Sequence, residues 1–150
     1  MKASELCPIC GEGHSTVQLA QVEQEYKGQL CEVAMHLRVC DHCTSEFVGA
    51  AESKLNKRAM MAFRKRVDNL LPGNQITELR AQLGITQAQA ARLFGGGPVA
   101  FSKYENDDVA QSEAMDNLLR VIRRSSEAFW VLVDEKGMRD ELSARKLVAF

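Results

Sequence analysis

Two C-x-x-C pairs, Cys7-Pro8-Ile9-Cys10 and Cys40-Asp41-His42-Cys43, stand 29 residues apart in this 150-residue chain. Two thiolates at that spacing grip one face of a tetrahedral ion, and a second pair closes its coordination. Cys7, Cys10, Cys40 and Cys43 therefore read as the ligands of structural Zn2+, one ion per chain. Four thiolates leave no open position, which disfavours a catalytic zinc. A redox C-x-x-C needs a strand–helix context that neither pair has. Cys31 is the odd cysteine. It reads as a small core residue on a strand, with a further ligand or sensor as the alternative. His14 and His42 lie beside the knuckles and are not needed as ligands.

The stretch between the pairs has the length of a hairpin. Cys31, Val33, Met35, Leu37 and Val39 are apolar at every second position, and Glu32, His36 and Arg38 fall between them. This is the alternation of a half-buried strand, with His36 expected on the exposed polar face. Val17, Leu19, Val22 and Tyr26 form a weaker strand, and Lys27-Gly28 marks the turn. From about residue 50 to 70 the period changes to that of a helix, with Leu55, Ala59, Ala62, Phe63, Val67 and Leu70 on one face. Pro72-Gly73 is expected to stop it.

Short helices follow. Ile76, Leu79 and Leu83 pattern the first, which ends at Gly84. Thr86 and Gln89 have the capping-box spacing. Gly95-Gly96-Gly97 ends the next helix, and Pro98 suits the first position of a third. Ser112 caps a fourth that carries Met115, Leu118, Leu119 and Ile122. A fifth starts near Ser125 and carries Phe129, Trp130 and Val133. The fold class is α+β in two small domains, a zinc-bound β-hairpin domain over 1–70 and an all-α domain over 71–136. Residues 137–150 read as a partly ordered helical tail.

Charge divides along the same line. Residues 1–50 hold three Lys+Arg against seven Asp+Glu, and residues 51–124 hold twelve against eight. An acidic head and a basic middle suit two partners of opposite character. The helices from Thr86 to Glu105 have helix-turn-helix proportions, with Val99, Ser102, Lys103 and Asn106 sharing one face of the second. Periodicity alone leaves that face open between major-groove contact and an ordinary solvated surface. The glycines precede a helix, but no strand comes before them and no Gly-Lys-Ser/Thr follows, so a phosphate loop is excluded. There is no paired-carboxylate or Ser/His/Asp set, and an enzyme is not expected. The longest apolar run, Ala128 to Val133, is six residues, too short to span a membrane. With no apolar segment ahead of Cys7, no signal peptide is expected and the cytoplasm is the expected location.

The run from Ile85-Thr86-Gln87 through Phe94-Gly95 to Phe101-Ser102-Lys103-Tyr104-Glu105 resembles the XRE/Cro-type helix-turn-helix. Together with the paired cysteines, Phe94-Gly95-Gly96-Gly97 and Ala100 to Glu105 resemble the MqsA/YgiT antitoxin family over about residues 5–124. The resemblance implies an antitoxin of a type II toxin–antitoxin system. Its zinc domain would neutralise a toxin, commonly an mRNA-cleaving RNase, and its helical domain would dimerise and repress the operon at palindromic double-stranded DNA. On this implication Val99, Ser102 and Lys103 occupy the recognition helix, and Gln87 and Asn106 join them as DNA contacts. Val99 and Lys103 stand where well-known members carry Asn and Arg. Phe129 and Trp130 are expected at the homodimer contact. Glu23, Glu25 and Glu32, around an apolar centre at Tyr26 and Leu30, are expected to meet the toxin. The alternative is a stand-alone zinc-containing XRE regulator with no toxin partner.

Overall fold

The computed structural model describes residues 4–148, which divide into two compact units between Val67 and Asp68. The first is an antiparallel sheet in the order β1 (Glu5–Leu6), β2 (His14–Tyr26), β3 (Gln29–Cys40), β4 (Glu46–Phe47), followed by helix α1 (Ala50–Val67). Lys27 and Gly28 both take positive φ, 49° and 78°. That is the conformation of a two-residue hairpin turn whose twist matches its strands. The register then runs without a bulge from Tyr26 opposite Gln29 to Ser15 opposite Cys40.

The expected alternation along β3 holds only in part. Val33 is buried, but so is Arg38, which the pattern places on the polar face. Glu52, in the first turn of α1, explains the difference. Arg38 Nη1 donates to Glu52 Oε1 at 2.9 Å, and Arg38 Nε donates to Ser15 Oγ at 3.0 Å. The guanidinium hydrogen bond holds the Glu52 carboxyl below its ordinary pKa. His36 is half-buried rather than exposed. Its N–H donates to Asn56 Oδ1 and its C=O accepts from Asn56 Nδ2, at 2.6 and 2.9 Å. One side-chain amide of α1 thus closes the strand edge that β4 leaves open.

Helix α1 ends at Val67, short of the expected Leu70, with Asn69 in the left-handed region at φ 56°. Pro72 does not stop it. Pro72 lies in an extended conformation as the N-cap of the next helix. The second unit contains α2 (Gly73–Leu83), α3 (Gln87–Phe94), α4 (Ala100–Glu105), α5 (Glu113–Arg124), α6 (Ser126–Glu135) and α7 (Arg139–Val148). The capping box of Thr86 and Gln89 is formed in both directions. The hydroxyls of Ser112 and Ser125 each accept from an N–H three residues on, at 3.1 Å. Pro98 lies two residues before α4 instead of opening it, because Val99 is the N-cap.

Apolar residues of all these helices share one core, including Ile76, Leu93, Phe101, Met115, Leu119, Ile122 and Val133. Leu118 packs at its margin. Phe129, expected at a dimer contact, is 4% exposed and belongs to this core. Trp130 is half-buried, with its ring edge-on to Phe129 and the Arg139 guanidinium 5.0 Å from its centroid. Of the residues read as a tail, Arg139–Val148 form α7, and Met138 just before it and Leu142 within it are buried; residues 149–150 lie outside the described residues. Glu141 accepts from Arg92 Nη1 at 3.0 Å and from Gln89 Nε2 at 3.0 Å. No helix among the described residues is long and apolar enough to cross a membrane.

Asp116 ties the start of this unit to α5. Its buried carboxylate accepts from Leu71 N–H at 2.8 Å, Gln111 Nε2 at 3.0 Å and Arg120 Nε at 2.7 Å. Burial pushes the carboxyl up, but the Leu71 N–H, Arg120 and Gln111 together outweigh it, so its pKa lies below the ordinary value. A depressed carboxyl contributes stability above the unfolded pKa of about 3.9 and loses it as pH falls through the folded value. Asp116→Asn is expected to cost about 2–3 kcal/mol at pH 7 in denaturant unfolding. Its deficit against the parent should shrink below about pH 4. Leu142→Ala is expected to cost about 2–4 kcal/mol while leaving metal content unchanged. An unaltered denaturation midpoint would show that α7 contributes no core.

Candidate metal centre and recognition helix

The hairpin register decides where the four cysteines meet. Cys40 ends β3 opposite Ser15, beside the loop Cys7–Gly13 that leads into β2. Cys7 N–H donates to Gly13 C=O at 2.8 Å, folding the first knuckle back on itself. Gly13 permits this approach. A Cβ there would lie 2.5 Å from His42 Cβ and 2.6 Å from Cys40 Sγ. Asp41 Oδ1 accepts from His14 N–H at 2.8 Å and pins the second knuckle to the strand.

Cys7 Sγ lies 3.8 Å from Cys43 Sγ, and Cys10 Sγ lies 3.8 Å from Cys40 Sγ. All four sulfurs are within 4.8 Å of one another. Tetrahedral metal–sulfur bonds of about 2.3 Å require sulfurs about 3.8 Å apart. The donor set therefore fits one metal ion. Backbone N–H groups point at the sulfurs, from Ile9 to Cys7, Gly13 to Cys10, and His42 and Cys43 to Cys40, at 3.4–3.5 Å. The N–H groups of Gly13 and Glu12 lower the pKa of Cys10. The hydroxyl and N–H of Ser45 hold Cys43 at about 6. As a free thiol Cys40 is pushed up to about 11, since burial and its neighbouring thiols outweigh the N–H of Cys43. One metal ion would substitute for those crowded protons.

The expected ligands are thus brought together, and the three other residues considered beside them are not part of the group. Cys31 Sγ lies at the far part of the hairpin, 3.7 Å from Arg66 Nη2. His42 pairs with Glu12 across the knuckles at 3.1 Å, and His14 is a strand residue. Ser45, Asp41 and Gly13 escaped the reading of the sequence, because their contacts depend on how the two knuckles close on each other.

In the second unit, α3, the three glycines and α4 form a helix-turn-helix. Val99 is 58% exposed, Lys103 is exposed, and Ser102 is half-buried. Asn106 is the C-cap of α4, and its Nδ2 donates to Ser102 C=O at 2.9 Å. Gln87 Nε2 donates to Glu105 Oε2 at 3.1 Å. The same buried carboxylate receives Arg80 through Nε and Nη2, at 3.1 and 2.8 Å. This network locks α2, α3 and α4 together. Of the hairpin residues, Glu23, Glu25, Glu32 and Leu30 are exposed. Tyr26 is half-buried, with Lys27 Nζ and the Arg64 guanidinium 5.2 and 5.5 Å from its ring centroid, so it is not an open apolar anchor.

Residues 5–132 match the family described as the antitoxin component of bacterial toxin–antitoxin systems, MqsA. This chain belongs to the MqsA antitoxin family. Its relative in Escherichia coli (strain K12), antitoxin MqsA, is 28% identical over 123 residues, covering 81% of this chain and 94% of the relative. The match to the MqsA family takes in the cysteine cluster and the helix-turn-helix and ends before α7. For the metal centre the expected outcome is one metal ion per chain by elemental analysis. Cys7→Ser or Cys40→Ser should lose it together with the first unit's structure, and Cys31→Ser should keep it. Purified protein with no bound metal would overturn the site.

Proposed function

We propose that this protein is a zinc-stabilised antitoxin that neutralises a toxin through its first unit and represses its own operon through its second. The MqsA family match carries the antitoxin role, and the exposed face of α4 supports the DNA-binding one. Zinc is the metal that suits four thiolates in a tetrahedron with no open position. It is structural, and the protein has no enzymatic role. The toxin is an mRNA-cleaving RNase. Such an enzyme needs a positive surface to hold phosphates, and the acidic head is complementary to it.

On DNA, Lys103 donates to guanine O6 or N7, and Val99 packs on a thymine methyl. Gln87, Ser102 and Asn106 contact the backbone, with Gln87 held ready by Glu105. A homodimer places two such helices in successive major grooves of a palindrome, about 34–36 Å apart. Phe129 lies in the chain's own core and Trp130 packs against it, so the exposed Val131 is the apolar α6 residue offered to that contact.

Lys103→Ala is expected to weaken operator binding about tenfold or more and relax preference at one base pair per half-site, measured by competition with variant duplexes. Binding and base preference both unchanged would remove α4 as the reading helix. Co-expression with the adjacent open reading frame tests the antitoxin role, which requires rescue of growth and co-purification.

A further inference from the structure

The two edges of the first sheet are treated differently. On the β3 side, β4 pairs at Arg38 and Val39, and Asn56 satisfies both main-chain groups of His36. On the β2 side, β1 pairs only at His14 and Ser15. From Thr16 to Tyr26 no strand covers the outer edge among the described residues. Because His36 turns its amide and carbonyl away from β2, its partner Leu19 turns its own away from β3. The same parity applies to Val17, Gln21, Glu23 and Glu25. Five alternate residues thus offer an outward row of main-chain donors and acceptors.

Natural edges of this length are guarded by bulges, prolines or lysines. β2 has none of these between Thr16 and Tyr26. Its charges there are acidic only. Glu23 stands directly opposite Glu32, both exposed, in the closer, non-hydrogen-bonded kind of pair. Like charges so placed destabilise the hairpin. On the same face Leu19 is 62% and Leu30 63% exposed. An apolar centre with an acidic surround and a bare strand edge repels a second copy of this chain and suits a basic partner.

We propose that β2 is the docking edge for the toxin, a cationic protein that adds a strand of its own along Val17 to Glu25, with Lys or Arg at the positions facing Glu23 and Glu25, where the charge of Glu32 on the neighbouring strand adds to theirs. This rests on the antitoxin reading and specifies how that partner is held. Main-chain bonds supply the pairing, and alternate side chains supply selectivity.

The decisive variant is Gln21→Pro in the full chain. Gln21 directs its N–H outward, so proline there removes a donor to the partner and no bond of the β2–β3 ladder. Binding to the protein encoded by the adjacent reading frame should weaken about ten- to hundredfold, while metal content and melting temperature stay near those of the parent and Gln21→Ala binds normally. Glu32→Gln gives a second readout with no backbone change. It should raise the melting temperature of the free chain yet slow association and reduce its salt dependence. If the parent binds and Gln21→Pro, correctly folded, binds equally well, the edge is wrong. If Glu32→Gln associates at the parent rate, the electrostatic half of the proposal is wrong. A parent chain that fails to bind the neighbouring protein at all overturns the antitoxin reading itself.

Discussion

The four-thiol cluster is the constraint on which the first unit depends. Among the described residues of that unit, the buried apolar side chains are Cys7, Val33, Cys40 and Phe63, and two of these are cluster members. So little apolar burial cannot offset the conformational entropy of ordering a long hairpin and an eighteen-residue helix. A structural metal contributes about 10–16 kcal/mol in small modules of this kind. The turn at Lys27-Gly28 and the cluster then reinforce each other. The turn sets the register, the register brings Cys40 to the first knuckle, and a one-residue slip would turn Cys40 to the opposite face.

The second unit solves the same problem by ordinary packing. Its helices are short, and α4 has only six residues, so none is stable by itself. A continuous core and a few buried polar anchors hold them. Arg80 and Glu105 fasten α4 to α2 while Gln87 joins α3 to the same carboxylate. Asp116 fastens the segment that leads into α2, at Leu71, to α5. These anchors leave Val99 and Lys103 on the outer surface of α4, so a rigid scaffold carries an exposed helix face. In the first unit the division is similar. One sheet edge is closed by β4 and Asn56, and the other is left bare beside acidic and apolar side chains.

Much of this was legible in the sequence because it depends on local chemistry. Cysteine spacing announced the metal site, alternation and Lys27-Gly28 announced the hairpin, and Thr86, Ser112 and Ser125 announced helix starts that are present. Binary patterning failed where a polar side chain found a distant partner. Arg38 and His36 read as solvent-facing, yet Glu52 and Asn56 on α1 cover them. Phe129 read as surplus for a dimer, yet it completes the chain's own core. Pro72 read as a helix stop, whereas Asn69 had already turned the chain and Pro72 served the next helix.

The sequence by itself determined which atoms are available: four thiols at metal spacing, the turn that sets their register, the caps that start the helices, and an acidic head beside a basic middle. These properties act over a few residues and survive any arrangement of the remainder. Only the tertiary structure decided which polar groups are satisfied internally and which stay open at the surface. Asn56 closes one edge of the sheet, Glu105 engages Gln87, and Glu52 takes Arg38 out of water, while the outer edge of β2 and the face of α4 carrying Val99 and Lys103 remain open. That selection depends on pairs distant in sequence, and hydrogen bonding discriminates among them at a range of about 3 Å, which no spacing rule along the chain can supply.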